Sequence, residues 1–318
     1  MRLAHSRAGC MPYLGEIAAL TTALCWLGSS LLFAVAGKQA GAQALNQFRL
    51  YAAVPMLAVA CLACNGDIWP GDASVTRIAT LALSGVVGLV IGDYGYFHAL
   101  ATIGPRLASV IMALWPAFTV AIDALAGEAP SGSQALGVGL TVVGVTMVLA
   151  RGRGGAWRPE LNARQWALGV VGAMIGACGQ AAGFVIARNA MAPAADLPAG
   201  LDPLHATIVR LAAATLGMQL VVAAQGRPFA MRAIFADRRS LGTATAGTLV
   251  GPVLGVWLSM VAGAYARDAG IAAALMATTP VFMLPVSVWL YGARVSASGV
   301  VGTLLAGAGV VTCFVSEG

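Results

Sequence analysis

Two stretches of similar sequence decide how this chain folds: "IMALWPAFTVAI" (residues 111–122) and "LMATTPVFMLPV" (residues 275–286). Methionine, alanine, proline and phenylalanine recur in the same order in both stretches, as Met112, Ala113, Pro116 and Phe118 and then as Met276, Ala277, Pro280 and Phe282. Flanking segments repeat in the same order, since "FRLYAA" (48–53) recurs as "VRLAAA" (209–214) and "LGVGLTVVGVTMV" (136–148) recurs as "VGTLLAGAGVVTC" (301–313). The sequence therefore predicts an internal duplication.

The residues around these stretches are strongly apolar. Only 9% of the chain is charged and 59% is hydrophobic, whereas soluble domains carry about 25% charged residues. Ten stretches are long enough to cross the ~30 Å hydrocarbon core of a bilayer, at 13–36, 44–64, 78–100, 105–126, 133–150, 165–189, 204–224, 241–265, 269–291 and 297–315. They lack the two-residue alternation of barrel strands. The predicted fold class is an all-α membrane protein with ten transmembrane helices.

The duplication divides these ten spans equally. We expect one five-helix repeat at 13–150, a linker rich in arginine and glycine at 151–164, and a second five-helix repeat at 165–315. Because five is odd, the second repeat enters the membrane from the opposite face, which makes the halves inverted repeats. Such halves are typical of secondary transporters, since they provide inward-open and outward-open states of similar energy.

The segment "GDYGYFHALATIGP" (92–105) and the residues after it resemble the drug/metabolite transporter superfamily, in its ten-helix form with two EamA-type domains. The matching positions run from the end of the third helix to the glycine-spaced fifth helix, and they are Gly92, Asp93, Tyr96, Phe97, Ala99, Leu100, Ile103, Gly104, Pro116, Gly127, Glu128, Gly137 and Gly144. The second half departs from this pattern, because "YGARVS" (291–296) has no acidic equivalent of Glu128. The resemblance implies a carrier of small metabolites, amino acids or drug-like compounds, more often an exporter.

Ionisable residues inside a span are functional candidates, because a charge at the bilayer centre costs at least ~2.5–3.5 kcal/mol. Asp93 lies well inside the third span, and its side chain is too short to reach the interface. Tyr94 and His98 share a helical face, and imidazole, with a reference pKa near 6.5, is suited to proton exchange. We predict that Asp93 and His98 line or brace a water-accessible cavity, with proton coupling as one role. The alternative is that Asp93 only accepts hydrogen bonds that hold helices together.

Arg49 and Arg210 occupy matched positions in the two repeats. Each lies about five residues inside its span, so its long stem either extends to the interface or directs the guanidinium to a cavity. Other polar and aromatic residues that could complete a substrate site are Trp26, Tyr94, Tyr96, Trp115, Gln180, Thr278 and Thr279. The matched prolines Pro116 and Pro280 are predicted to form paired kinks beside the cavity.

Other classes of function find less support. No HExxH motif, P-loop or nucleotide-binding glycine loop is present in the sequence, so we predict that the chain is not an enzyme. The alternative is a membrane-embedded enzyme, a channel or a sensor. Cys61 and Cys64 form a CxxC without a second pair, which argues against a metal site, and no cofactor is expected. The net charge is +6, but the basic residues lie in short loops between spans, which argues against nucleic acid as a partner. The expected partners are a small-molecule substrate and the lipid bilayer, and a monomer is compatible with the duplication.

The distribution of basic residues and the family resemblance imply opposite orientations in the membrane. Lysine and arginine are more numerous on the linker side (Lys38, Arg106, Arg151, Arg153, Arg158, Arg164, Arg227, Arg232, Arg238, Arg239, Arg294) than on the side of the termini (Arg2, Arg7, Arg77, Arg188, Arg267). The positive-inside rule therefore places the linker in the cytoplasm and both termini outside. The family resemblance implies cytoplasmic termini. In either orientation, we expect a multi-pass protein of the cell (inner) membrane.

Overall fold

The computed structural model describes residues 13–125, 131–150, 161–266, 269–291 and 296–315. Within these ranges the chain forms helices and no strands, which confirms the predicted all-α membrane fold. The α-helices are α1 (Leu14–Ala40), α2 (Ala42–Asn65), α3 (Val75–Gly85), α4 (Asp93–Thr102), α5 (Gly104–Met112), α6 (Trp115–Leu125), α7 (Gly132–Ala150), α8 (Ala163–Met191), α9 (Pro203–Ala224), α10 (Arg232–Phe235), α11 (Arg238–Thr248), α12 (Val256–Tyr265), α13 (Ala269–Met276), α14 (Thr279–Tyr291) and α15 (Ala297–Val315). Glu128 and residues 151–160 of the predicted linker lie outside the described residues.

The helices account for the ten predicted spans. Eight segments are long and apolar enough to cross a bilayer, and two shorter apolar segments, Ala274–Val286 and Ala297–Thr312, complete the set. The third span joins α3 to α4 through a π-helical segment at Val86–Gly92, and the eighth joins α11 to α12 through another at Leu249–Gly255. The fourth span consists of α5 and α6, and the ninth of α13 and α14.

Helix packing shows the two-fold relation between the repeats. The first span, α1, packs against α11 and α12 of the eighth span, and the sixth span, α8, packs against α3 and α4 of the third. Exchanging the two repeats converts the first set of contacts into the second. The fifth and tenth spans pack on each other, as do the second and seventh. Because each half holds five spans, equivalent helices cross the membrane in opposite directions, as the duplication predicts.

Glycines allow α7 and α15 to approach closely. A Cβ atom added to Gly144 would lie 2.4 Å from the Ala306 nitrogen and 2.5 Å from the Gly302 oxygen. One added to Gly309 would lie 2.5 Å from the Thr141 nitrogen. Small residues at such crossings are the usual means of helix association in a bilayer, where no hydrophobic force separates protein from lipid.

The helical path is interrupted at equivalent places in both repeats. The two π-helical segments form one matched pair, and the breaks between α5 and α6 and between α13 and α14 form another. Pro116 and Pro280 are each the second residue of the helix after the break, where a missing N–H costs little. The breaks thus lie immediately before the prolines at which the sequence predicts kinks. No sequence signal predicted the π-helical segments.

Candidate functional site

A cavity of about 100 Å³ lies between the two repeats. It is formed where the π-helical segments and the helix breaks meet. The lining includes nine of the residues that the sequence singles out, namely Trp26, Arg49, Asp93, Tyr96, Trp115, Gln180, Arg210, Thr279 and Pro280. Ser29, Ser30, Phe33, Leu89, Phe97, Ser109, Met112, Ala113, Gly251, Pro252, Val256, Ser259, Met276 and Ala277 complete it. Both repeats therefore contribute to one shared space.

An ion pair within the first repeat borders the cavity. An Nη2–H of Arg49 donates to Asp93 Oδ2 at 2.6 Å, and the side chains are 2% and 17% exposed. Arg49 also donates from Nε to Asn46 Oδ1 at 2.8 Å and from Nη2 to the Leu89 carbonyl at 3.0 Å. Its guanidinium lies 4.6 Å from the centre of the Phe97 ring. The interpretation that Arg49 extends to the interface is therefore wrong, because its polar partners lie inside the protein.

Arg210 reaches the same cavity from the second repeat, and it is only 3% exposed. Its Nη1 lies 3.1 Å from the Met260 sulfur, which is a weak acceptor. Its Nε is buried and has no hydrogen-bond partner. The interpretation that Arg210 extends to the interface is therefore also wrong. Unlike Arg49, this arginine has no carboxylate within salt-bridge distance among the described residues.

Aromatic side chains form much of the remaining wall. Trp115 is buried and meets Phe184 edge-to-face, with ring centres 5.6 Å apart. The Tyr96 hydroxyl lies 2.8 Å from Ser30 Oγ, which joins the third span to the first. Trp26 packs against Gly255, where an added Cβ atom would lie 3.1 Å from the indole ring. The cavity wall therefore combines aromatic and other apolar side chains with three charged groups, several hydroxyls and one amide, and such a mixture of apolar surface and polar groups is common in small-molecule sites.

Four of the predicted residues do not reach the cavity. Tyr94 is 40% exposed on the outside of the bundle, and His98 packs beside Gly172 of α8. Asp93 and Phe97 lie on the side of α4 that faces the cavity. Because successive residues are rotated by about 100° around the helix axis, Tyr94 and His98 lie on a different side. Thr278 donates to the Leu275 carbonyl in the helix break, and Pro116 is buried behind the lining. The prediction that Tyr94 and His98 line the cavity is corrected accordingly.

The two repeats also meet through polar contacts at the ends of the bundle. On the side of the termini, Arg77 forms a bidentate pair with Asp196 at 2.9 and 2.8 Å and donates to the carbonyls of Ala190 and Ala192. The hydrogen bonds from Arg77 and then from Ser74 lower the pKa of Asp196 to about 2. Asp196 lies between the sixth and seventh spans, whereas Arg77 lies in the third. This contact therefore joins the two repeats.

A glutamine cluster joins the repeats on the linker side. Gln47 donates to Gln219 Oε1 and to the Pro228 carbonyl, both at 2.8 Å, and accepts from the Met231 N–H at 2.8 Å. The second span is thereby attached to the seventh span and to the segment after it. In the part of the chain that the structure describes, no group of three histidine, cysteine or acidic side chains could hold a metal ion.

Comparison with known proteins agrees with this architecture. The model of the EamA-like transporter family matches residues 13–150 and 167–315. One similar solved structure, titled only "Crystal structure of protein", has a TM-score of 0.62 and 18% identity, over 94% of this chain and 95% of that chain. At that identity it shows the fold alone. No curated protein matches the sequence. The family match covers both repeats and confirms the resemblance found in the sequence, so the chain belongs to the EamA-like transporter family.

Proposed function

We propose that this membrane transporter moves small molecules by alternating access, that a proton at Asp93 is coupled to the movement, and that its direction is export across the cell (inner) membrane. The observation that carries the proposal is the cavity between two inverted repeats, which contains an ion pair between the buried Arg49 and the partly buried Asp93. Export is the direction that the family resemblance favours.

Alternating access is supported by the contacts at the two ends. Arg77 and Asp196 join the repeats on the side of the termini, while Gln47 and Gln219 join them on the linker side. For the cavity to open to one side, the contact on that side has to separate while the other persists. The glutamine hydrogen bonds each contribute little net stability, and the Asp196 carboxylate is 44% exposed, so water can replace Arg77 as its partner when the pair separates.

The Arg49–Asp93 pair supports the coupling role. Asp93 begins α4 directly after the π-helical segment, and Arg49 lies in α2. A proton on Asp93 would replace a charge-assisted hydrogen bond with a weaker neutral one. The second and third spans would then be held less tightly at the cavity wall, so a proton can favour one of the two states.

The test is transport by the purified full chain in proteoliposomes. Labelled amino acids, hydroxy acids and amines are supplied with and without an imposed proton gradient. We expect at least one compound to accumulate in response to the gradient, Asp93→Asn to abolish that response, and Asp72→Asn, which removes an exposed acid outside the cavity, to retain it. If no compound accumulates above protein-free liposomes, the transport proposal is rejected, and an unchanged response in Asp93→Asn rejects the proton role.

A further inference from the structure

We infer that the substrate is a monocarboxylate with a compact apolar or aromatic body, and that its carboxylate binds Arg210 in the cavity. The inference rests on the proposed transport function and names the class of molecule that the cavity would carry. It is derived from the difference between two arginines that the duplication makes equivalent.

The partners of Arg49 have no counterparts around Arg210. Arg49 donates hydrogen bonds to Asn46, three residues earlier in α2, and to Asp93 at the start of α4. In the second repeat the corresponding positions are Thr207 in α9 and Val256 at the start of α12. The Thr207 hydroxyl donates to the carbonyl of Pro203 in its own helix, at 2.7 Å. Arg210 therefore lacks both the amide and the carboxylate that satisfy its twin.

The charge of the cavity points to an anion. Among the described lining residues, the ionisable groups that carry charge are the two arginines and Asp93, which leaves one positive charge in excess. An uncompensated charge in a low-dielectric interior is strongly unfavourable. A single carboxylate would balance it, whereas an amine would add a second excess charge. A zwitterionic amino acid would leave the excess unchanged.

Arg210 also has hydrogen-bond donors that the described residues leave largely unused. Its Nε is buried and unpartnered, and its Nη1 meets only the sulfur of Met260. The planar fork of a guanidinium matches a carboxylate through two parallel hydrogen bonds. Trp26, Trp115 and Tyr96 border the same cavity and offer an apolar surface to the rest of the ligand. A volume of about 100 Å³ suits a compact ligand.

Calorimetric titration of the purified full chain in lipid nanodiscs tests the inference. The probes are benzoate, benzyl alcohol and benzylamine, which share a ring and differ in charge, together with butyrate and lactate. Empty nanodiscs correct for partitioning into lipid. We expect benzoate to bind about tenfold more tightly than the alcohol or the amine, or better still, since a charge-assisted hydrogen bond is worth at least one decade in affinity. Equal affinities for the three ring compounds, or no binding by any of the carboxylates, would overturn the inference.

Variants of Arg210 separate binding from folding. Arg210→Met should remove the preference for benzoate, Arg210→Lys should retain part of it, and Arg227→Met, at an exposed arginine outside the cavity, should bind as the unmodified chain does. Without ligand, Arg210→Met should unfold at a higher temperature than the unmodified chain, because the buried charge is gone, and benzoate should stabilise only the chain that keeps Arg210. A lower unfolding temperature with unchanged benzoate affinity would identify Arg210 as a purely structural residue. Transport without preference for carboxylates would reject this inference alone, whereas carboxylate binding without transport would reject the proposed function.

Discussion

Replacing Asp93 with asparagine should destabilise the ligand-free protein by about 2–4 kcal/mol. Asp93 supplies the one charged acceptor of Arg49, whose other two acceptors are Asn46 and the Leu89 carbonyl. Removing one partner of a buried ion pair costs about 3–5 kcal/mol. The asparagine oxygen can still accept a neutral hydrogen bond worth about 1 kcal/mol, which lowers the expected cost.

A double-mutant cycle separates the pair from other effects of the substitution. Asp93→Asn, Arg49→Met and the double variant are unfolded by increasing dodecyl sulfate in mixed micelles, and helix content is followed by circular dichroism. Once Arg49 is absent, Asp93 no longer has its cation, so the Asn substitution should cost much less. We expect a coupling energy of about 2 kcal/mol, within the range found for residues in direct contact. A cost below about 0.5 kcal/mol for Asp93→Asn, or effects that add within that margin, would refute the reasoning.

Three further predictions concern packing, pH and orientation. Gly144→Leu should lower the unfolding midpoint, because an added Cβ would lie 2.4 Å from a backbone atom of α15. Gly139→Leu on the same helix, where an added Cβ would meet nothing within 4 Å, should change the midpoint little. Equal effects of the two substitutions would contradict this packing. The pKa of Asp196 is lowered to about 2 by Arg77, so its stabilising contribution is complete above the unfolded value of about 3.9 and is lost as the pH falls towards 2. Thermal unfolding between pH 7 and pH 2 should therefore show a steeper acid decline for the unmodified chain than for Asp196→Asn, and parallel curves would count against the pair. The positive-inside rule predicts that alkaline phosphatase fused to the C-terminus is active, and an inactive fusion would support the cytoplasmic termini that the family resemblance implies.

The duplication and the spans are readable from the sequence because they depend on local properties. A span is a run of apolar residues, and the repeated Met, Ala and Pro positions survive in order, so the helical breaks before Pro116 and Pro280 lie where kinks are expected. Asp93 stands out for the same reason, since a carboxylate in an apolar segment is conspicuous. These features require no knowledge of how the helices are rotated.

Which residues the candidate side chains contact depends on how each helix is rotated about its axis. A π-helical segment at Val86–Gly92 precedes Asp93 and changes the register of the third span, and the sequence carries no signal for it. The sequence also does not show which side of α4 faces the cavity: Asp93 and Phe97 line it, whereas Tyr94 and His98, each one residue further along, do not. Depth alone leaves Arg49 between the interface and the cavity, and its match with Arg210 in the second repeat does not decide between them, because inverted repeats place matched residues nearer opposite faces. The pairing of Arg49 with Asp93 joins distant parts of the chain and could be seen only in three dimensions.

If two inverted repeats enclose one cavity that opens to either side of the membrane, thiols in the cavity wall should be accessible from both sides. Ala113→Cys and Ala277→Cys place thiols at equivalent lining positions, and Ala214→Cys places one at a fully buried position outside the lining. Each is made in a chain whose six native cysteines are replaced by alanine, and a membrane-impermeant maleimide is applied to right-side-out and inverted vesicles. We predict that both cavity thiols react from both sides and that the thiol at position 214 reacts from neither. Reaction of the cavity thiols from one side only, or from neither, would contradict a cavity that opens to either side.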